Sequence, residues 1–214
     1  MGKRIVELLI SLKDELLDII YPPKNNCIIC ESEFSGICPL CISQIKRVKD
    51  NESVIAYGYY SGVLKQLILE FKYKKSFVAG SILVEFLLDL IQSNNISIDG
   101  IVFIPSSKKA LKQRGFNQCE YLANELSKKL KVNLYKDVIK VKNTKEQKLL
   151  SKEERFKNIS GAFDLIDNSN IKNKKLLLID DVVTTGATVH ECEKMLKKNG
   201  AKSIKILTVA KSYI

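Results

Sequence analysis

Leu176-Leu-Leu-Ile-Asp-Asp-Val-Val-Thr-Thr-Gly-Ala-Thr188 decides the fold. A short apolar run, from residue 175 to Ile179, reads as a buried strand. It ends in two acids, Asp180 and Asp181. A hydroxyl-rich loop with one glycine follows, and residues 187–198 read as a helix stopped at Asn199-Gly200. In an open parallel sheet, ligands sit at the carboxyl ends of strands. A loop entering a helix presents free backbone N–H groups and the positive end of the helix dipole. Gly186 allows close approach of the backbone, and Thr184, Thr185 and Thr188 can add hydroxyl donors. Such a turn suits a phosphate monoester. Asp180 and Asp181 would repel that phosphate, but they suit a neutral diol beside it, because carboxylates accept hydrogen bonds from hydroxyls. A ribose 5-phosphate carries both groups. The plainer alternative is a helix cap with ordinary turn chemistry. It leaves unexplained why two acids bear the desolvation cost of a buried strand end.

Outward from this segment the chain alternates. Residues 54–60 read as a strand, 63–71 and 77–91 as helices, and 101–104 as a strand stopped by Pro105. A helix is expected over 115–130, a strand over 138–141, a mobile polar stretch over 142–158 and a last strand over 204–209. The fold class is α/β: a twisted parallel sheet flanked by helices on both faces.

Two further blocks belong with the first. Ile104-Pro-Ser-Ser-Lys-Lys-Ala-Leu-Lys-Gln-Arg-Gly-Phe-Asn-Gln118 puts a polar loop at the end of another strand, so it should face the same crevice. Ser106, Ser107, Lys108, Lys109 and Arg114 would there meet a diphosphate. Arg114 is one of four arginines among 35 basic residues, and its planar fork grips phosphate oxygens in pairs. The third block, Gln147-Lys-Leu-Leu-Ser-Lys-Glu-Glu-Arg-Phe-Lys-Asn-Ile-Ser-Gly-Ala-Phe163, carries Arg155. It is either a basic loop that closes over the site or a solvated loop.

Cys27-x2-Cys30-x7-Cys38-x2-Cys41 gives two Cys-x-x-Cys knuckles. Four thiolates make a closed, structural zinc site; two disulfides or an iron–sulfur cluster are the alternatives. Cys119 and Cys192 read as small helix packers, and His190 as an exposed helix residue. Tyr57, Tyr59 and Tyr60 read as strand packing. The first twenty residues read as an amphipathic helix, because Glu7, Asp14, Glu15 and Asp18 break the apolar run a signal peptide needs. No run is long enough to span a bilayer, so a cytoplasmic protein is expected. The domains are then 1–50, helix and zinc ribbon, and 51–214. The net charge of +11 suits an anionic partner and suits a solvated surface equally.

The segment 176–188 resembles the motif by which type I phosphoribosyltransferases bind 5-phosphoribosyl-1-diphosphate (PRPP). That resemblance implies that Asp180 and Asp181 hold the ribose hydroxyls. It also implies that Val182, Val183, Thr184, Thr185, Gly186, Ala187 and Thr188 wrap the 5-phosphate, and that Mg²⁺ bridges ribose and diphosphate. Asp180, Asp181 and Arg114 are then the candidate catalytic groups, with Ser106, Ser107, Lys108 and Arg155 as further PRPP contacts. With Pro22-Pro23 before Cys27-x-x-Cys30, the Arg114-Gly-Phe-Asn-Gln118 string and the 147–163 block, the chain resembles the ComF family. In that family a double zinc ribbon accompanies a phosphoribosyltransferase-like domain. Lys72 matches a basic position of the family, with no role assigned. The resemblance implies work in natural transformation, on single-stranded DNA and beside the uptake machinery at the inner face of the membrane. Lys24, Lys46, Arg47 and Lys49 would meet DNA phosphates. An active transferase on an unidentified nucleobase or amine is the other function it allows.

Overall fold

A computed structural model describes residues 26–48, 53–142, 152–167 and 169–212. The expected N-terminal helix, Pro22-Pro23, Lys24, Lys49 and the segment 143–151 lie outside them. The described helices are α1 (Pro39–Ser43), α2 (Gly62–Lys74), α3 (Phe77–Ser93), α4 (Lys108–Arg114), α5 (Gln118–Leu130), α6 (Lys152–Ile159) and α7 (Ala187–Lys198). The strands are β1 (Val54–Tyr59), β2 (Gly100–Phe103), β3 (Asn133–Leu134), β4 (Val138–Lys140), β5 (Phe163–Leu165), β6 (Lys175–Val183) and β7 (Ser203–Lys211).

Five strands form one sheet in the order β1-β7-β6-β2-β3, and every neighbouring pair is parallel. Ile179 stands between Phe103 of β2 and Leu207 of β7, so β6 is the central strand and the acid pair lies at its carboxyl end. Successive strand residues point to opposite faces, and the core divides accordingly. Ile101, Phe103, Leu177, Ile179, Leu207 and Val209 join a cluster with α2, α3 and α5. Val102, Leu176, Leu178 and Ile206 join a second cluster with α7 and the β4–β5 region.

Local sequence explains the elements that carry the site. In α2, Val63, Leu64, Leu67, Ile68 and Phe71 make the buried stripe, and Lys72 follows directly in the last turn. Ser107 caps α4 by accepting from the Ala110 N–H at 3.2 Å. Gly115, at φ +83°, ends that helix. Asn117 caps α5, accepting from the Cys119 N–H at 3.0 Å.

Several expectations differ from the structure. The block after Pro105 is not all loop: Ser107 nucleates the short helix α4, and the next helix begins at Gln118, because Gly115 interrupts the helical path. Residues 138–140 form a strand, but outside the main sheet. It pairs antiparallel with β5, Ile139 opposite Asp164, while the parallel edge goes to Asn133–Leu134. The stretch expected to be mobile ends in helix α6. The strand that opens the main motif runs on through both acids to Val183.

The cysteine segment is joined to the main core. Cys27, Ile37, Cys38, Cys41 and Ile45 share the cluster of Tyr57, Leu64 and Phe86. Gly58 permits this: a Cβ there would lie 2.8 Å from the Lys46 carbonyl oxygen and 2.9 Å from Leu64. Tyr57 stacks on Phe86 with centroids 4.2 Å apart, so this tyrosine is strand packing.

Candidate functional site

The loop between β6 and α7 cups a cavity of about 20 Å³, lined by Asp180 and residues 182–189. Gly186 occupies the N-cap of α7 at φ +78° and gives no side-chain cap. A Cβ on it would meet His190 Cδ2 at 3.0 Å. At this helix start Thr185 Oγ1 accepts only a long 3.5 Å bond from the Ala187 N–H. The cavity lies at the loop and helix start where the sequence leads us to expect a phosphate group.

A larger cleft of about 720 Å³ lies beside it, and Asp180 lines both. Ser106, Ser107, Lys108, Arg114, Asp181 and Lys72 are among its walls. The structure therefore brings together the acid pair, the loop and the block after Pro105. The backbone of Arg155 lies in α6, and its side chain is outside the described residues. The two serines already hold internal bonds. Ser106 Oγ donates to Asn117 Oδ1 at 3.0 Å, and Ser107 is the α4 cap.

The acids are buried and not equivalent. Asp181 Oδ2 accepts from Gln118 Nε2 at 2.9 Å and pairs with Lys72 Nζ at 2.5 Å. Its Oδ1 accepts from the Val182 N–H at 2.7 Å. Asp180 Oδ1 accepts from the Asp181 N–H at 2.8 Å and from the Cys119 thiol at 3.5 Å. Burial and the neighbouring charge of Asp181 push the Asp180 carboxyl up to about 7. Burial also opposes ionisation of Asp181, but the Lys72 ammonium outweighs it and holds that carboxyl below the ordinary range. With Asp181 ionised and Asp180 titrating near neutrality, the pair carries between one and two negative charges there.

Arg114 Nη1 donates to Gln118 Oε1 at 2.9 Å, and its guanidinium lies 5.3 Å from the Tyr73 ring centroid. Its Nε is buried with no hydrogen-bond partner among the described residues. An orphaned buried donor is costly, on the order of 1–3 kcal/mol.

Lys72, Asn117, Gln118 and Cys119 complete the constellation. The sequence flagged Gln118 only as part of a family string, Lys72 without a role and Cys119 as a packer. Cys119 is indeed buried, and burial, with the charges of Asp181 and Asp180, drives its thiol well up. Cys192 is buried in α7 and its thiol is raised by burial. His190 pairs with Glu193 at 3.3 Å.

Among the described residues, two groups of side chains are placed so that they could hold a metal ion. Sγ atoms of Cys27, Cys30, Cys38 and Cys41 all lie within 4.8 Å of one another. Cys27–Cys41 is 3.8 Å and Cys30–Cys38 3.6 Å. A tetrahedron with Zn–S near 2.3 Å has edges of about 3.8 Å, so the donors fit zinc, and the separations are far too long for disulfides. Burial opposes ionisation of Cys27, but the backbone N–H groups around the knuckles outweigh it and bring the thiol to about 6. Cys119, Asp180 and Asp181 form the second group. A hard ion such as Mg²⁺ takes oxygen donors, so the carboxylates fit it and the thiol does not.

The profile of the family described as "Phosphoribosyl transferase domain" matches residues 117–212, from the Asn117 cap through the acid pair and the loop into β7. The fold is phosphoribosyltransferase-like. More particularly, the ComF resemblance drawn from the motifs is borne out by relatives matched over most of their length. Competence protein F of Haemophilus influenzae is 29% identical over 193 residues, covering 87% of this chain and 84% of that one. Competence protein ComFC of Streptococcus pneumoniae is 25% identical, covering 86% and 87%. The DNA utilization protein YhgH of Escherichia coli is 28% identical, covering 72% and 70%. Among the described residues no helix is long and apolar enough to cross a membrane.

Proposed function

We propose that the crevice binds PRPP and that the protein uses it in handling incoming single-stranded DNA during competence. The observation that carries this is the shared position of Asp180. One carboxylate borders both an anion cradle at the head of α7 and a basic cleft of about 720 Å³. The 5-phosphate sits in the cradle on the N–H groups at the start of α7. The ribose hydroxyls lie against Asp180, whose Oδ2 has no partner among the described residues. The diphosphate extends toward Lys108 and Arg114, where the orphaned Nε waits. Asp180 and Asp181 would hold Mg²⁺, which supplies charge neutralisation for the diphosphate. These residues align the sugar and keep water from its anomeric carbon, and the acid pair favours positive charge on the ring.

The DNA part of this reading is supported by the relatives, two named for competence and one for DNA utilization. Such work places the protein on the cytoplasmic side of the membrane. Arg47, expected to meet DNA phosphates, stacks 3.7 Å over Tyr57 and pairs with Asp89 at 3.1 Å; Lys46 is the more available cation. The four-cysteine group holds a structural zinc ion that ties the segment into the core.

A second function is an active phosphoribosyltransferase, favoured by Ile104, Val138 and Ile139 in the lining of the same cleft, which offer a flat acceptor apolar contacts. One experiment separates the two. PRPP binding with Mg²⁺ is measured by calorimetry, and diphosphate release is followed with nucleobase and amine acceptors, in wild type and in Asp180→Asn plus Asp181→Asn. Binding without release, together with salt-sensitive binding of single-stranded DNA, supports the DNA-handling role. Acceptor-dependent release lost in the double variant supports the transferase. Absence of PRPP binding overturns both.

A further inference from the structure

Lys72 is carried into the crevice by the end of α2, one residue past the buried Phe71. Its side chain is 13% exposed. An ammonium so deeply set is unfavourable unless it is paired. Its partner is Asp181, with Nζ 2.5 Å from Oδ2. Asp181 is in turn fully engaged, with Lys72 and Gln118 on Oδ2 and the Val182 N–H on Oδ1.

Lys72 and Arg114 bring two positive charges to a crevice whose acid pair carries at most two negative ones. A divalent cation arriving alone would face two cations and a single uncommitted carboxylate oxygen, that of Asp180. A sugar diphosphate arriving with its metal brings negative charge for both Lys72 and Arg114, which line the same cleft. Lysine suits a change of partner, being a point charge on a flexible four-carbon stem.

We propose that Lys72 is the resident counter-ion of the acid pair: it keeps a free divalent cation off Asp180 and Asp181, and it transfers to the diphosphate when the sugar phosphate enters with its metal. The transfer rests on the PRPP site above; the exclusion of free metal does not. It makes metal and sugar phosphate bind together, each raising the affinity of the other.

Mn²⁺ binding to the full chain, read by electron paramagnetic resonance, tests this. Wild type should show no Asp180-dependent Mn²⁺ site without PRPP and one with it. Lys72→Met should gain that site without PRPP, at least about tenfold tighter than wild type, and lose it again when Asp180→Asn is added. Lys72→Arg should exclude Mn²⁺ as wild type does. Wild type binding Mn²⁺ alone at an Asp180-dependent site as tightly as with PRPP overturns the proposal, and so does Lys72→Met without a gain. Should Lys72→Met not fold, the wild-type titration against Asp180→Asn decides. PRPP failing to bind wild type sinks the sugar-phosphate site and the transfer step, while the comparison without PRPP still tests the counter-ion.

Discussion

Gln118 Nε2 donates to Asp181 Oδ2 at 2.9 Å while its Oε1 accepts from Arg114 Nη1 at 2.9 Å. One buried amide thus couples an acid near the end of β6 to the arginine that ends α4, using opposite ends of its dipole. Gln118→Leu fills the space but leaves two charged groups each short of a partner. The expected cost is about 1–3 kcal/mol, read as a lower urea midpoint with an unchanged slope. PRPP binding should weaken as well, because Arg114 loses its orientation.

The two acids give opposite pH signatures. An unfolded carboxyl ionises near about 3.9, whereas Asp180 in the fold does so at about 7. Between those values the folded state keeps an extra proton, so this group's contribution to stability falls as pH rises through that window. Asp181 is held low by Lys72, and its contribution, present at neutral pH, is lost as pH falls below the unfolded value. Comparing urea midpoints at pH 5 and pH 8, Asp180→Asn should gain on wild type as pH rises. PRPP binding with Mg²⁺ should tighten from pH 6 to pH 8 more in wild type than in Asp180→Asn, where only the ionisation of the ligand's own phosphates remains.

Gly186→Ala puts a side chain at φ +78° and 3.0 Å from His190. Strain of about 1–3 kcal/mol is expected, together with loss of the phosphate cradle. Adding His190→Ala should relieve the contact and leave the backbone strain. Calorimetric PRPP titration should therefore show at most partial rescue.

The cysteine segment should not melt by itself. Its buried residues lie in the core cluster of α2 and α3, so losing the metal exposes that cluster too. Zinc at one per chain by elemental analysis is expected, and Cys38→Ser should abolish it. The thermal transition of the whole chain should shift down as one step, not split into two.

Gly58→Val tests the same docking from the other side. With the Lys46 carbonyl at 2.8 Å and Leu64 at 2.9 Å from the added Cβ, overpacking should cost about 1–3 kcal/mol. The loss should appear in chemical denaturation, and PRPP affinity should change little, because Gly58 is on β1 at the sheet edge, two strands from β6.

The sequence by itself determined the α/β class, the central strand and the loop at its carboxyl end. It also supplied the four sulfur ligands. These are local features: apolar runs, a glycine where only a positive φ serves, and pairs of thiols two residues apart. It did not show that Asn133–Leu134, not residues 138–140, takes the sheet edge, since a two-residue strand has no periodicity to detect. Nor did it show α4, whose seven residues bury no side chain fully and therefore carry no apolar stripe. Above all, Lys72, Gln118 and Asp181 are far apart along the chain. Their meeting is settled by how α2 and α5 pack on the face toward which Asp181 turns, and that packing decides which acid is engaged and which is left for a ligand.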